Sequence, residues 1–370
     1  MSRAPIDRIG PDPGGGVDAD LAAIDISGTL QKQAWDDDVL PPVESLGSGL
    51  WSVPVPMPQS SLRYVLVYLL ERDDGVTMID AGWDTEDAWA ALNAGLGKAG
   101  YEIGDVKSVL VTHIHPDHYG LAGRVRENSG AWIALHPADA DILPQRYMQM
   151  DSLLTRMRSH LLESGVPVGS LDEMRGASMP VRGFVNAVLP DVLLEDGDRP
   201  DVPGWNLRAV WTPGHSPGHL CFYDTERKVL LSGDHVLPRI TPNISFHPQQ
   251  TVNPLADFLE ALDKVAALDV EEVMPAHEYR FRGLAQRIVQ LRDHHEQRLS
   301  EITVALREQP GQTAWEIAIG LTWSRPWSEI SFWMQRSALG ETLAHLIVLE
   351  SRATVRRGTG IPHRWELTGA

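Results

Sequence analysis

The chain has 370 residues, of which 43% are hydrophobic, so it can bury a large core, and its length favours two domains over one. Its 50 acidic and 32 basic residues give a formal net charge of −18, which disfavours attraction of the whole molecule to a polyanion such as nucleic acid. The single cysteine, Cys221, excludes an internal disulfide. Neither an apolar run of about 18 residues nor a basic and apolar leader is present, so we expect a cytoplasmic protein without membrane contacts.

The first segment of the chain is predicted to be irregular. Residues 1–44 are rich in glycine, proline and aspartate, and they include Pro11-Asp12-Pro13-Gly14-Gly15-Gly16. Proline and glycine interrupt helices and strands. We therefore expect residues 1–44 to form a flexible acidic arm.

The next segment alternates between strand-like and helical patterns. Apolar runs without strict alternation, which suit strands covered on both faces, occur at 64–70, 76–79, 109–112 and 131–135. A helical pattern covers Thr85 to Ala99. The order of these patterns predicts an α/β fold.

The run at 109–112 ends in His113-Ile114-His115-Pro116-Asp117-His118. Imidazole nitrogens and carboxylate oxygens are ligands of divalent metals such as zinc. His113 and His115, two residues apart, can share one ion, and Asp117 and His118 can reach a second. The alternative is a polar loop with surface histidines.

Three later apolar runs end in further metal-competent residues. Leu207 to Trp211 leads into Thr212-Pro213-Gly214-His215-Ser216-Pro217-Gly218-His219, Val229 to Leu231 leads into Ser232-Gly233-Asp234, and Val273 to Met274 leads into Pro275-Ala276-His277. With this series, residues 45 to 280 resemble the metallo-β-lactamase superfamily. The resemblance implies a four-layer αββα sandwich with the metals in a cleft along one edge.

The resemblance also implies seven metal ligands in two groups joined by a bridging carboxylate. The ligands are His113, His115 and His215 for one ion, Asp117, His118 and His277 for the other, and Asp234 between them. Five imidazoles and two carboxylates suit two divalent ions, with zinc favoured over iron or manganese. The two carboxylates, Asp117 and Asp234, are also the predicted catalytic residues.

Two further residues are expected beside the ligands. Asp80, in Met78-Ile79-Asp80-Ala81-Gly82, would orient a ligand histidine by accepting its free ring N–H; the alternative is a plain turn aspartate. His219 follows the ligand position of its loop and would support the site rather than bind metal. Cys221, in the strand after it, is expected to be packed.

Residues 138–190 interrupt the pattern as a helical insertion that contains Met148, Met150, Met157, Met174 and Met179. Methionine is flexible and suits surfaces that adapt to apolar ligands. One hypothesis is therefore a lid over the cleft. The other is that these residues pack the insertion onto the core.

The composition changes after residue 282, so we predict a catalytic domain at 45–282 and a second domain at 283–370. Helical patterns at 283–309, 313–319 and 328–350, followed by a hairpin at 352–367, resemble a small carboxy-terminal winged-helix domain. Its ten arginines, no lysine and nine acidic residues are near balance, so a nucleic-acid partner is disfavoured. Four arginines of the predicted wing, at positions 352, 356, 357 and 364, leave a phosphate-contacting patch open as an alternative.

The predicted function is a dinuclear metal-dependent hydrolase that uses a metal-bridging hydroxide on small acyl substrates. Thioesters, activated esters and lactones suit such a site, and family precedents include thioesterases and lactonases. True lactamases of the family use another residue where this chain has Asp234, which disfavours antibiotic degradation. The alternative is a metal-dependent nuclease that acts on single-stranded RNA. The partners considered are a small-molecule acyl substrate and a second copy of the chain in a homodimer.

Overall fold

Two β-sheets packed face to face form the centre of the protein. The computed structural model describes residues 24–57, 60–149, 151–177 and 179–369. The first sheet is antiparallel from β1 to β4 and parallel from β4 to β7. Its strands, in spatial order, are β1 (Glu44–Gly47), β2 (Leu50–Pro56), β3 (Tyr64–Arg72), β4 (Gly75–Ile79), β5 (Val106–Leu110), β6 (Trp132–Leu135) and β7 (Val192–Leu193).

The second sheet has the spatial order β11-β10-β9-β8. Its strands are β8 (Leu207–Trp211), β9 (Leu220–Asp224), β10 (Val229–Gly233) and β11 (Glu272–Pro275). Only the β10–β11 pair of this sheet is parallel. A separate hairpin near the carboxyl end pairs β12 (Val355–Arg357) with β13 (Trp365–Leu367).

Helices cover the outer faces of both sheets and build the carboxy-terminal region. In the described part of the chain they are α1 (Thr29–Asp36), α2 (Glu86–Ala99), α3 (Pro116–Tyr119), α4 (Ala122–Ser129), α5 (Pro137–Leu143), α6 (Asp151–Glu163), α7 (Leu171–Gly176), α8 (Pro254–Ala266), α9 (Leu284–Glu308), α10 (Ala314–Gly320) and α11 (Phe332–Ser351). A π-helical turn at Pro144–Met148 lies between α5 and α6. None of the described helices is both long and apolar enough to cross a lipid bilayer.

Strand β3 shows why the layers form. Successive side chains of a strand point to opposite faces. Leu66 and Leu70 lie in the core between the two sheets with Phe222, whereas Val65 and Val67 face the helical layer on the other side. A strand that is apolar on both faces must be covered twice.

The two outer helical layers complete the sandwich. Leu92 of α2 packs on the first sheet, and Phe258 of α8 and Leu291 of α9 pack on the second, against Leu230. The fold is therefore the four-layer αββα arrangement that the resemblance implied. Cys221 lies in the outer core of the second sheet, packed as predicted.

Residues 24–44, which we expected to belong to a flexible arm, are folded in the structure. Residues 1–23 lie outside the described residues. Helix α1 is folded, and Trp35 is buried edge-on against Tyr64 with ring centroids 5.9 Å apart. Asp25 pairs with Arg282 in a short β-bridge. The prediction used the average composition of residues 1–44, but most of the glycine and proline residues of this segment lie before residue 24. Residues 24–44 therefore looked more irregular than they are.

The carboxy-terminal region has the helix, helix, helix, hairpin order that the winged-helix prediction requires, and the winged-helix assignment stays a prediction. The described residues of this region do not form a core of their own. Ile317, Leu343 and Trp365 belong to the same hydrophobic cluster as Leu230 of the second sheet. The carboxy-terminal helices are therefore packed onto the sandwich rather than tethered to it.

Candidate metal centre

The histidine-rich segment lies directly after strand β5. The strand ends at Leu110, two residues earlier than predicted, and His115 precedes α3, whose first residue is Pro116. Proline suits the first helical position because its missing N–H would have no partner there. The turn into α3 places Asp117 and His118 on the first helical turn, beside the two histidines of the loop.

Three imidazoles form the first group of candidate ligands. His113 Nε2 and His215 Nε2 each lie 2.9 Å from His115 Nδ1. His215 comes from the loop after β8, so two distant segments meet here. These three nitrogens all lie within 4.8 Å of one another.

The second group contains Asp117, His118 and His277. The Asp117 carboxylate lies 3.2 Å from His277 Nε2 and 3.5 Å from His118 Nε2. His277 follows β11, at the same edge of the sandwich as the loop after β5. All three residues are buried.

Asp234, which follows β10, lies between the two groups. Its Oδ2 lies 3.4 Å from His215 Nε2, and its Oδ1 lies 3.5 Å from His118 Nε2 and 3.3 Å from His277 Nε2. The two carboxylate oxygens therefore face different groups, which is the geometry that a bridging ligand needs.

The donor set fits divalent metal ions. His118 Nε2, His277 Nε2 and Asp234 Oδ1 are buried and have no hydrogen-bond partner. Leaving a buried polar atom unpaired costs about 1–3 kcal/mol, so several such atoms pointing at one space indicate a missing partner. Imidazole and carboxylate are the donors that zinc, iron and manganese accept.

Backbone carbonyls orient two of the candidate ligands by accepting a hydrogen bond from the ring nitrogen that points away from the site. His215 Nδ1 donates to the Asn243 carbonyl and His277 Nδ1 donates to the Tyr64 carbonyl, both at 2.9 Å. Because a carbonyl only accepts, Nδ1 carries the proton and the lone pair of Nε2 faces the site. No sequence pattern indicates that the carbonyl groups of Asn243 and Tyr64 accept these hydrogen bonds.

Asp80 orients His118 in the same way. Its Oδ2 lies 2.8 Å from His118 Nδ1 and accepts from Thr112 Oγ1 at 2.9 Å, while its Oδ1 accepts from the Thr112 amide at 2.8 Å. The backbone at Asp80 is left-handed, with φ at 62°, a conformation that aspartate adopts more readily than most residues. Asp80 therefore has the contact that the sequence analysis expected of it.

Both ring nitrogens of His219 are occupied outside the two groups. Nδ1 lies 2.8 Å from Thr212 Oγ1, and Nε2 accepts from the Asp234 amide at 3.1 Å. Gly233 makes this contact possible, because a Cβ there would lie 2.7 Å from His219 Nε2. His219 thus positions the backbone of Asp234.

The electrostatics keep most of the donors in their metal-binding forms. Burial lowers the pKa of His113 and His115, so both are neutral imidazoles. Burial opposes the charge of His118, but the nearby carboxylates outweigh it and raise the pKa of His118. For Asp234, burial is likewise outweighed by the facing histidines, which lower its pKa.

Sequence reasoning missed Asp139, a fully buried carboxylate in the first turn of α5. It accepts hydrogen bonds from the Ile114 amide at 2.9 Å, from Ser216 Oγ at 2.8 Å and from the Gly218 amide at 2.7 Å. Asp139 therefore joins the loops that hold His115 and His215. Aspartate is common in the first turn of helices, so the sequence offered no distinctive signal.

A cleft of about 240 Å³ opens beside the two groups. His115, Asp117, His215 and Asp234 are among the residues that line it. The insertion and helix α11 contribute residues that include Tyr147, Leu153, Leu161, Trp333 and Leu339. Further lining residues come from Met57, Leu62, Trp83 and the loop between Asn243 and Gln249. Both segments outside the sandwich therefore shape access to the site.

The predicted methionine surface is only partly present. Met157 lines the cleft, whereas Met174 is fully buried in the core and Met148 is 41% exposed. Met150 and the side chain of Met179 lie outside the described residues. For Met174 the packing alternative holds, because α7 packs against both α6 and α11.

Comparison with known proteins agrees with this geometry. A family model described as the metallo-beta-lactamase superfamily matches residues 61–277. The chain is 25% identical over 295 residues to the probable metallo-hydrolase YqjP of Bacillus subtilis, an alignment that covers 79% of this chain and 89% of the relative. It is 28% identical over 169 residues to the acyl-coenzyme A thioesterase MBLAC2 of Homo sapiens, which covers 45% of this chain and 54% of the relative.

Among solved structures, a metallo-beta-lactamase family protein from Thermus thermophilus is 32% identical with a TM-score of 0.75, covering 88% of this chain and 100% of that chain. The family model spans more than half of the chain, and its match ends at His277, the last candidate ligand. The chain therefore belongs to the metallo-beta-lactamase superfamily and is a metallo-hydrolase.

Proposed function

We propose that this protein is a dinuclear metal-dependent hydrolase of small acyl compounds, with thioesters favoured over activated esters and lactones. The observation that carries the proposal is the position of Asp234, whose two oxygens face two adjoining groups of ligands. His113, His115 and His215 would hold one ion, and Asp117, His118 and His277 the other. Zinc is the favoured metal because imidazoles dominate the donor set.

Two bound ions would supply Lewis acidity, which activates a water for attack and stabilises the negative charge that develops on a carbonyl oxygen. The chain itself holds the donors in place through Asp80, Asp139 and His219. Asp117 and Asp234 are the only two carboxylates among the described residues that line the cleft, so they are the proposed catalytic pair.

Two features support an acyl substrate. Leu153, Leu161, Phe246 and Trp333 provide apolar walls beside the ligands, which suits an acyl chain. A thiolate is a good leaving group beside a Lewis acid, and one relative is an acyl-coenzyme A thioesterase.

The cysteine of the chain does not offer an alternative nucleophile. Burial raises the pKa of the Cys221 thiol to about 12, so the thiol stays protonated and hydrolysis would depend on the metal groups.

The arginines of the carboxy-terminal hairpin do not support the nuclease alternative. Each of the four lies close to a carboxylate: Arg352 with Glu296 at 2.8 Å, Arg356 with Glu366 at 2.6 Å, Arg357 with Glu350 at 3.9 Å and Arg364 with Glu316 at 3.5 Å. Charges neutralised in this way contribute little to phosphate binding.

A substrate panel tests the proposal. Zinc-loaded protein and its Asp234→Asn variant would be assayed with acyl thioesters, activated esters, lactones, phosphodiesters and single-stranded RNA. We expect thioester hydrolysis that falls by at least about a hundredfold in Asp234→Asn, because the variant keeps the size of the side chain but loses the shared charge. Elemental analysis should find about two zinc ions per wild-type chain. RNA cleavage without turnover of any acyl compound would overturn the proposal.

A further inference from the structure

Three arginines line the cleft without a carboxylate partner among the described residues. Arg146 belongs to the π-helical turn of the insertion, Arg182 follows α7, and Arg336 lies on α11. Within the described part of the chain none of the three forms an ion pair, although the protein has 50 acidic residues. Most other arginines near the surface do, such as Arg124 with Glu86.

Each guanidinium uses only one nitrogen to hold the protein together. Arg146 Nε donates to Tyr147 Oη at 3.3 Å, Arg182 Nε donates to the Tyr147 carbonyl at 3.0 Å, and the Arg336 Nη1 atom donates to the Met174 carbonyl at 3.0 Å. Trp333 lies beside the Arg336 guanidinium, 4.9 Å from it. The remaining nitrogens have no acceptor among the described residues. A fork of donors held in place in this way matches a carboxylate or a phosphate.

The surroundings of Arg336 make its charge costly. Burial, together with repulsion from Arg146, lowers the pKa of Arg336 to about 10, so the group stays charged at neutral pH. The only carboxylates that the described residues contribute to the cleft, Asp117 and Asp234, face the metal groups. A buried charge without a partner is unfavourable unless something supplies the opposite charge. A ligand that enters the cleft can supply it.

We propose that the cleft selects acyl substrates that carry an anionic group, a carboxylate or a phosphate, away from the bond that is cleaved, and that Arg146, Arg182 and Arg336 bind this group. The reaction rests on the proposed function, whereas the binding of the anion does not. The apolar walls would then contact the uncharged part of the substrate.

Binding of analogues that cannot be hydrolysed tests the inference. The three probes are thioethers that carry an S-alkyl chain of the same length. S-alkyl pantetheine is the neutral reference, and S-alkyl phosphopantetheine carries an anion on the thiol side. The third probe is S-alkyl pantetheine with a carboxylate at the end of the alkyl chain. Calorimetry with zinc-loaded protein gives each dissociation constant. We expect at least one anionic analogue to bind about tenfold or more tightly than the neutral one, since hydrogen bonds to charged groups have this strength.

Arginine variants then identify the origin of the preference. Arg146→Gln is the main variant, because its side chain holds only a tyrosine hydroxyl, and Arg336→Gln is the second. Both should reduce the ratio of anionic to neutral affinity by about tenfold. Arg158→Gln is the matched control, since Arg158 is exposed on α6 and does not line the cleft. Melting temperatures verify that each variant is folded.

Two results would overturn the inference: equal affinities for all three analogues, or a preference that survives both variants, which would show that Arg146 and Arg336 do not bind the anion. Turnover of the corresponding thioesters is measured separately. If the arginine-dependent preference is present but no thioester is hydrolysed, the proposed function fails and the anion site stands.

Discussion

Replacing Asp80 by asparagine should weaken one metal group while leaving the backbone in place. Asparagine tolerates the left-handed φ of 62° as aspartate does, and the two side chains have the same size. The change therefore acts on hydrogen bonds. Asp80 offers two acceptor oxygens to three donors, namely the amide and hydroxyl of Thr112 and Nδ1 of His118. Asparagine offers one oxygen and an NH₂ group.

The Thr112 amide can only donate, so the asparagine oxygen must stay with it. The NH₂ group then faces His118 Nδ1, which must become an acceptor. A histidine that binds metal must be neutral, and the one proton of the His118 ring then moves to Nε2, the atom that faces Asp117 and Asp234. Changes of this kind lower metal affinity by about tenfold to a hundredfold. This range corresponds to about 1.4–2.8 kcal/mol.

A competition titration with a chromophoric chelator would measure the two stepwise zinc affinities. We expect the weaker step to fall by about tenfold or more in Asp80→Asn and the other step to change little. Asp84→Asn is the control, because Asp84 lies in the same turn region but contacts Arg124 rather than a candidate ligand. Unchanged affinities in a folded Asp80→Asn protein would refute the tautomer argument.

Three further substitutions test the supports of the site. His219→Ala should retain more metal than His215→Ala, because both ring nitrogens of His219 are already hydrogen-bonded, to Thr212 and to the Asp234 amide. Elemental analysis that shows the reverse order would exchange their roles. Asp139→Ala leaves three buried donors unpaired, at about 1–3 kcal/mol each. The free energy of unfolding measured in urea should therefore fall by roughly 3 kcal/mol or more. A loss below about 1 kcal/mol would contradict the argument. Gly233→Ala should lower both stability and metal content, whereas Gly169→Ala, where a Cβ meets open space, should change neither; equal effects of the two would show that the close approach of Gly233 is unimportant.

Much of the site could be predicted because its ligands follow a local rule. Each apolar run that ends in a metal-competent residue is a strand of the sandwich, and the ends of these strands meet at one edge. The resemblance added the division into two groups. The structure brings together the three members of each group, and it also places His113 and His118 close to Asp234, so the division itself stays a prediction. His219 and Asp80 also have the neighbours expected of them.

Other parts of the site could not be predicted, because their signals are not local. Asp139 is an ordinary helix-start residue until the loops of Ile114 and Gly218 fold against it. The Asn243 and Tyr64 contacts use backbone carbonyls, which every residue has. The methionines of the insertion suggested a lid, but their number does not reveal which side chain faces the cleft.

The sequence by itself determined the family, the strands and the metal-competent residues, because periodicity, turn residues and ligand spacing are properties of short segments. Only the tertiary structure decided that helix α1 is packed, that the carboxy-terminal helices share the core of the second sheet, and that Arg146 and Arg336 come together in the cleft. The arginines are 190 residues apart in the sequence, and the absence of an opposing carboxylate among the described residues is a property of the space around them. Whether a side chain is buried, and which group it pairs with, depends on which distant parts of the chain pack together. No short segment of sequence contains that information.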